Sequence, residues 1–306
     1  MPQYLLKRFA LLIPTLFVVV TVVFFFIHLI PGDPVDFVLG EQALITDKQA
    51  LRKEMKLDLP LAVQYREFLG GLASGHWGKS ILDRRPVLQH IRERYLATVE
   101  LALAALFVAV ALAIPVGVFA ALRKYSLMDS AAMFFALLGV SMPNFWLGPL
   151  MILLFSIQLG WLPVSGNDNF ASLILPAVTL GAAMAAMLSR MTRASMLEVL
   201  EKEYVTVARA KGLSEKKVIL KHALRNALNP VVTIIGLQMG TLLAGAIVTE
   251  KIFNWPGLGS LMMDSIQRRD YAVVQGCVLM IAFSYVAINT LTDCLYRLVD
   301  PRVRLN

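Results

Sequence analysis

Six long stretches of this sequence contain no aspartate, glutamate, lysine or arginine, and this feature constrains the fold most. They cover residues 9–30, 101–122, 130–167, 169–189, 226–249 and 271–292. A helix of about 20 apolar residues crosses the hydrocarbon core of a bilayer. Hydrophobic residues make up 58% of the 306 positions and charged residues only 16%. A soluble fold cannot bury so much apolar surface, so a soluble enzyme and a disordered chain are both excluded.

The third stretch is long enough to raise the question of a second helix. Its 38 residues include a segment, 160–166, with the glycine, proline and serine content of a loop. The remainder is enough for one tilted spanning helix but not for two. Pro143 predicts a kink or a break within it, because proline lacks the backbone N–H that a helix needs. The sequence therefore predicts six membrane-spanning helices.

The distribution of basic residues predicts the orientation of these helices. With the N-terminus in the cytoplasm, the inner segments carry 16 lysines and arginines and the short outer loops carry 3. Nine of the 16 lie between Arg190 and Arg225. The remaining 10 lie in the long segment 31–96, which is exempt because the positive-inside rule holds for short loops. A chain with seven spans would place the nine basic residues of 190–225 outside. We therefore predict six spans with both termini in the cytoplasm.

The predicted outer segment, residues 31–96, is hydrophilic and mixed in charge. The pattern from Leu61 to Leu69 predicts a helix that ends at Gly70 and Gly71. Two interpretations remain open for the segment. It either caps the outer helix ends or packs over the mouth of a pore and binds a partner.

The predicted inner segment, residues 190–229, is basic and predicts two helices. Residues 195–212 are expected to form one amphipathic helix that ends at Gly212, and Ser214 is expected to cap the second. The predicted apolar residues are Met196, Leu197, Leu200, Tyr204, Val207 and Ala208 in the first helix and Val218, Leu220, Ala223, Leu224 and Ala227 in the second. Such a hairpin either rests on anionic lipid or docks a cytoplasmic subunit. Nucleic-acid binding is excluded, because both ends are tied to membrane spans.

No motif for catalysis, metal binding or nucleotide binding accompanies these segments. The string Gly78-Lys79-Ser80 lacks the glycine of a P-loop, since Ala73 stands at that position. The four histidines are scattered without metal-ligand spacing, and only His28 lies in a charge-free stretch. Ion-coupled transporters usually place ionisable groups inside their helices. These observations predict a passive conduit, without catalytic residues, metal or cofactor, that a separate motor drives.

The inner segment EYVTVARAKGLSEKKVILKHALRNALNPVV resembles the loop of permeases of bacterial binding-protein-dependent ABC importers, in the dipeptide, oligopeptide and nickel branch. Nine further strings occur in the same order as in this branch. They are RFALLIPTLFVV and IHLIPGDP at the start of the chain, LDLPLAVQY and GHWGKSI in the outer segment, and then SMPNFWLG, LGWLPVSG, ILPAVTLG, TEKIFNWPGLGSLMMDSIQRRDYAVVQG and LYRLVDPRVR. Each string alone is weak, but their order and spacing along nearly the whole chain are specific.

The resemblance implies a type I ABC importer permease fold, with 1–306 as a single permease domain in the bacterial inner membrane. It implies pairing with a homologous permease, two ATPase subunits that bind ATP and magnesium, and an extracytoplasmic substrate-binding protein. The family's Glu-Ala-Ala-x-x-x-Gly loop signature falls on Thr206, Val207, Ala208 and Gly212, without the glutamate. The residues expected to contact the ATPase are Glu203, Tyr204, Thr206, Ala208, Arg209, Lys211 and Gly212.

A short re-entrant piece after the fifth span is expected to form an outer gate. Glu250 stands at the membrane edge, and Trp255 suits an anchor at the lipid interface. Arg269 and Asp270 are expected nearby. The alternative is an ordinary interfacial loop.

The function predicted from the sequence is ATP-driven import of dipeptides or short peptides. Glutathione and nickel are the alternatives within the same architecture. A stand-alone secondary transporter and a structural membrane subunit are alternatives of other classes.

Overall fold

The computed structural model of the protein describes residues 2–29, 33–40 and 42–299, most of them in helices. The helices are α1 (Pro2–Leu29), α2 (Pro34–Leu39), α3 (Ile45–Glu54), α4 (Leu61–Ala73), α5 (Val87–Leu122), α6 (Leu127–Ser141), α7 (Asn144–Met151), α8 (Phe170–Leu200), α9 (Glu203–Ala210), α10 (Glu215–Lys217), α11 (Leu224–Ile252), α12 (Leu258–Gln267) and α13 (Tyr271–Val299). Two π-helical turns, Ile152–Gln158 and Val218–Ala223, follow α7 and α10. These ranges contain no strand, which confirms the all-α prediction.

Each charge-free stretch of the sequence contains a helix, as membrane burial requires, because only a helix satisfies its own backbone groups in lipid. Four helical segments are long and apolar enough to span a membrane, namely Val87–Leu122, Phe170–Leu200, Glu215–Leu243 and Tyr271–Thr292. A bent pair, α6 with α7 and its π turn, gives up to five. The 28-residue α1 contains the shorter apolar stretch Ile13–Phe26. The multi-pass architecture is thus confirmed, while the count of six remains a prediction.

The orientation of the termini also remains a prediction. Arg302 and Arg304, which support a cytoplasmic C-terminus, lie outside the described residues, as does Pro31 at the start of the predicted outer segment.

The predicted break at Pro143 is confirmed. Met142 leaves the helical conformation with φ −89° and ψ 116°, and the axes of the helices on either side differ by 109°. A proline disfavours the helical conformation of the residue before it and cannot donate a backbone hydrogen bond itself. The third charge-free stretch is therefore a broken helix.

The predicted outer segment contains α2, α3, α4 and the beginning of α5. The prediction that its helix stops at Gly70 and Gly71 is wrong, since α4 continues to Ala73. The helix ends where Gly75 takes the left-handed conformation, with φ +78°. The amides of Gly75 and His76 then donate to the carbonyls of Leu72 and Gly71 at 3.1 and 2.8 Å, which is a Schellman motif.

The chain divides into two compact units, Met1–Ala97 with Pro256–Val286 and Thr98–Trp255 with Ala287–Asn306. In the first unit, the beginning of α5 packs against α12 and α13. Its core consists of Val87, Ile91, Leu258, Val273 and Cys277.

In the second unit, α8 packs against α6 and α11, and two glycines permit close helix contacts. A Cβ atom on Gly181 would lie 2.5 Å from the carbonyl oxygen of Ala105 in α5, and one on Gly117 would lie 2.5 Å from Cβ of Thr192. Small residues at such positions let membrane helices approach at the backbone. The two glycines thus fix α5 against α8.

Candidate functional site

The predicted amphipathic helix over residues 195–212 is interrupted in the structure. Helix α8 ends at Leu200, the chain turns at Glu201 and Lys202, and α9 begins at Glu203. Helix α9 then ends where Gly212 adopts φ +75° and its amide donates to the Arg209 carbonyl at 2.9 Å. The predicted stop at Gly212 is confirmed, and the prediction of one continuous helix is wrong.

The turn at Glu201 changes which residues of α9 are buried. Val205 is 0% and Ala208 is 6% exposed, and both pack with Val218 against Leu200 and Leu213. By contrast Tyr204 and Val207, which the uninterrupted helical pattern assigned to the apolar side, are 42% and 51% exposed. The break restarts the helical phase, so the predicted apolar side of α9 is wrong except at Ala208.

The second helix begins after Ser214 as predicted, although the serine side chain makes no capping hydrogen bond. Val218, Ala223 and Ala227 are buried, whereas Leu220 is 51% exposed. The π turn explains this pattern, because its wider ring brings residues five apart onto one face. Met196 and Ala121, at the end of α5, pack against Ala223 and Ala227, which anchors the hairpin.

Helix α9 presents a continuous exposed surface on its remaining side. We call the exposed residues Glu203, Tyr204, Thr206, Val207, Arg209 and Ala210 the α9 surface. Lys211 and Gly212 are also exposed, directly after the helix. Of the residues predicted to contact an ATPase subunit, only Ala208 is buried, so it supports α9 from within instead of offering a contact surface.

Two interactions hold the α9 surface in place. The Arg209 guanidinium donates to the Glu215 carboxylate, with Nη2 2.7 Å from Oε1, across the Gly212 turn. This hydrogen bond raises the pKa of Arg209 above its usual value. The amide of Asn226, in α11, donates to the Tyr204 hydroxyl at 3.0 Å. An acidic residue of the ATPase that pairs with Arg209 would therefore compete with Glu215 of the same chain.

A buried ion pair joins α6 to α8, the helix that precedes this hairpin. The Arg193 guanidinium of α8 donates from Nε and Nη2 to the two carboxylate oxygens of Asp129 in α6, each at 2.6 Å. The side chains are 22% and 5% exposed, and Asp129 also accepts from the Tyr125 amide at 3.0 Å. In the sequence, Arg193 is one of the nine basic residues of the inner segment, without a predicted partner. Asp129 follows the helix-capping Ser126 by three residues, but nothing local identifies its distant partner.

A cavity of about 380 Å³ lies in the second unit between α7, α8 and α11. Its lining is apolar with three neutral polar groups, on Asn144, Gln238 and Thr241, and one cation, Arg190. Thr241 Oγ1 donates to Gln238 Oε1 at 2.7 Å, which holds the Gln238 amide in one position. The sequence does not predict this cavity, because its lining residues come from distant parts of the chain that only the packing of the helices brings together.

The residues predicted to form an outer gate fall in both units. In the second unit, Glu250 is fully buried and accepts from Thr98 Oγ1 at 2.6 Å. Trp255 is 2% exposed, so the prediction of an anchor at the lipid interface is wrong. In the first unit, buried Asp270 accepts from Ser80 Oγ at 2.5 Å, and Arg269 is half-buried. Their role in a gate remains a prediction.

The first unit contains a second cavity, of about 430 Å³, between α1, α4 and the beginning of α13. Its rim carries the ion pairs of Arg84 with Glu54 and of Lys56 with Glu67. Among residues 13–292 with described side chains, no cluster of three His, Cys, Asp or Glu residues is placed to hold a metal ion.

Comparison with known proteins gives matches along the whole chain. The family of binding-protein-dependent transport system inner membrane components matches residues 113–305, and the N-terminal family of binding-protein-dependent transport system membrane components matches residues 1–102. The chain is 44% identical over 304 residues to the glutathione transport system permease protein GsiC of Escherichia coli strain K12, with 99% of both chains covered. The GsiC protein of Salmonella typhi is equally similar, at 44% identity over 304 residues.

Solved structures show the same fold at low sequence identity. An inward-facing structure of the MetNI methionine ABC transporter superposes with a TM-score of 0.58 and 18% identity, covering 69% of this chain and 97% of that one. A second inward-facing MetNI structure gives a TM-score of 0.55 and 17% identity, covering 70% and 97%. Over about 70% of its length, the chain thus shares the fold of a solved membrane transporter.

Proposed function

Because the chain belongs to the family of binding-protein-dependent transport system inner membrane components, and is thus a multi-pass permease subunit of a bacterial ABC importer, we propose that it imports short peptides, glutathione among them. The supporting observation is the 44% identity to a glutathione permease over 99% of both chains. Glutathione is itself a tripeptide, so it belongs to the same chemical class as the dipeptides expected from the sequence. Nickel import, the remaining alternative, requires handling of a metal cation.

An importer of this family works with an ATPase and a substrate-binding protein. In the complex we propose, this chain pairs with a homologous permease, and each permease docks one of two ATPase subunits. ATP and magnesium bind to those subunits, and this chain has no ATP site of its own. The binding protein delivers substrate from outside to segment 31–96, and Glu250, Trp255, Arg269 and Asp270 are the residues proposed for the outer gate.

The α9 surface is the proposed contact with the ATPase. A helix that lies on lipid needs a free apolar face, but the apolar residues Val205 and Ala208 of α9 are occupied by Val218. The exposed side instead combines Tyr204 and Val207 with charged neighbours, which suits a protein partner. Docking here supports a cycle in which ATP-driven closure of the motor moves α9 as a rigid body and reorients the helices.

Reconstitution tests the proposed substrate class. The chain is co-expressed with its second permease, ATPase and binding protein, and the complex is placed in proteoliposomes. We expect ATP-dependent uptake of radiolabelled glutathione or dialanine, and none of radioactive nickel. Uptake without ATP would indicate a secondary transporter, and uptake of nickel alone would replace the peptide proposal.

Cysteine labelling tests the proposed topology. In a chain with Cys277 and Cys294 replaced by serine, we expect Ser214→Cys to react with a membrane-impermeant maleimide only after the cytoplasmic side is opened. Ser214 is exposed, so its accessibility depends on sidedness. Ser74→Cys, exposed after α4, is the matched control and should react in intact spheroplasts. Labelling of position 214 in intact spheroplasts would overturn the six-span topology.

A further inference from the structure

Among the described residues that line the cavity of the second unit, Arg190 is the only charged one. Arg190 is an exposed residue of α8 and follows Met187, which also lines the cavity, by one helical turn. A cleft with apolar walls focuses the field of a charge at its surface into the cleft. Arg190 therefore gives an otherwise neutral cavity a positive potential.

The next arginine of α8 shows the contrast. Arg193 is neutralised by Asp129 through two hydrogen bonds of 2.6 Å. Arg190 forms no ion pair with any residue in the described part of the chain. Since the guanidinium has five donors and binds a carboxylate with two parallel hydrogen bonds, an uncompensated arginine in a cavity favours a carboxylate ligand.

The neutral groups of the cavity suit the rest of such a ligand. The amide of Gln238 is fixed by Thr241 at 2.7 Å, and Asn144 lines the same space. Amide side chains both donate and accept, which matches a peptide bond. The volume of about 380 Å³ lies in the range of small-molecule sites.

We propose that Arg190 binds the carboxylate of the substrate during its passage through this cavity, with Gln238 and Asn144 contacting the peptide amide. The inference rests on the proposed function and narrows it. The permease itself then selects for a free carboxylate, in addition to any selection by the binding protein, and its positive cavity opposes a divalent metal cation.

The test compares dialanine with its C-terminal amide in the reconstituted complex. For each compound, uptake by Arg190→Gln is divided by wild-type uptake, so the selectivity of the binding protein cancels. We expect the ratio for dialanine to fall about tenfold or more, as for loss of a charge-assisted hydrogen bond, and the ratio for the amide to stay near one. Arg190→Lys keeps the positive charge but lacks the two parallel N–H donors of the guanidinium. Its uptake ratio for dialanine should lie between that of Arg190→Gln and one.

Arg123→Gln is the matched control, because it removes one exposed inner arginine of the same unit that does not line the cavity. Its two ratios should both stay near one. Equal ratios for dialanine and its amide in Arg190→Gln would overturn the role of Arg190 while leaving peptide import intact. Wild-type complex that imports neither glutathione nor dialanine would overturn the proposed function, and this inference with it.

Discussion

Replacing Val207 with glutamate is expected to abolish ATP-driven transport while the permease stays folded. Val207 is 51% exposed on the α9 surface, so the new carboxylate is solvated in the free permease. When α9 enters a groove of the ATPase, the same carboxylate loses water without gaining a partner, which is costly. We expect at least about a tenfold loss of ATPase co-purification and of ATP-dependent uptake.

The neighbouring position supplies the control for this prediction. Ala208 is 6% exposed against Val205 and Val218, so Ala208→Glu places a charge inside the hairpin and is expected to lower thermal stability before any docking. Val207→Thr keeps the size and neutrality of the side chain and should retain docking. If Val207→Glu co-purifies its ATPase at the wild-type level, the α9 surface is not the contact.

Asp129→Ala is expected to cause a large loss of stability of the second unit. It leaves the Arg193 guanidinium, 22% exposed in its side chain, without the carboxylate that accepts two of its hydrogen bonds. Breaking a buried pair from one side costs about 3 kcal/mol or more. A thermal melt of the purified protein in detergent should show a midpoint several degrees lower.

An exposed ion pair of the same unit provides the comparison. Lys124 and Glu201 lie 3.4 Å apart, with side chains 39% and 72% exposed, so Glu201→Ala should cost about 1 kcal/mol or less. Replacing Asp129 and Arg193 together with leucine removes the uncompensated charge and is expected to recover part of the lost stability. A melting midpoint for Asp129→Ala equal to that of Glu201→Ala would contradict the structural role of the pair.

The sequence predicts the helices of this protein well and the faces of the short ones poorly. Charge-free stretches locate the spans because lipid imposes one requirement on every residue within them. Helix α9 has only eight residues, and its phase depends on the turn at Glu201 and Lys202, which carries no proline or glycine. The apolar pattern runs through that turn without a change, so it places Tyr204 and Val207 on the wrong side of α9.

Sequence patterns of this kind do not predict contacts between residues that are distant in the chain. Asp129 and Arg193 are 64 positions apart, Thr98 and Glu250 are 152 apart, and Ser80 and Asp270 are 190 apart. Each residue alone resembles an ordinary polar residue, and no local pattern identifies its partner. Only the packing of the helices decides which of them meet, so the ion pair and the cavity require the structure.

Helix α11 connects the two candidate sites in a way that limits the length of the chain between them. Asn226, which bonds to Tyr204 of the α9 surface, and Gln238, which lines the cavity, are on one helix, about 18 Å apart along its axis. Pro230 lies between them and removes one backbone donor, which concentrates bending there. One residue inserted on this route would rotate the cavity side chains by about 100° about the helix axis relative to α9. Evolution can therefore vary the composition of this helix more freely than its residue count.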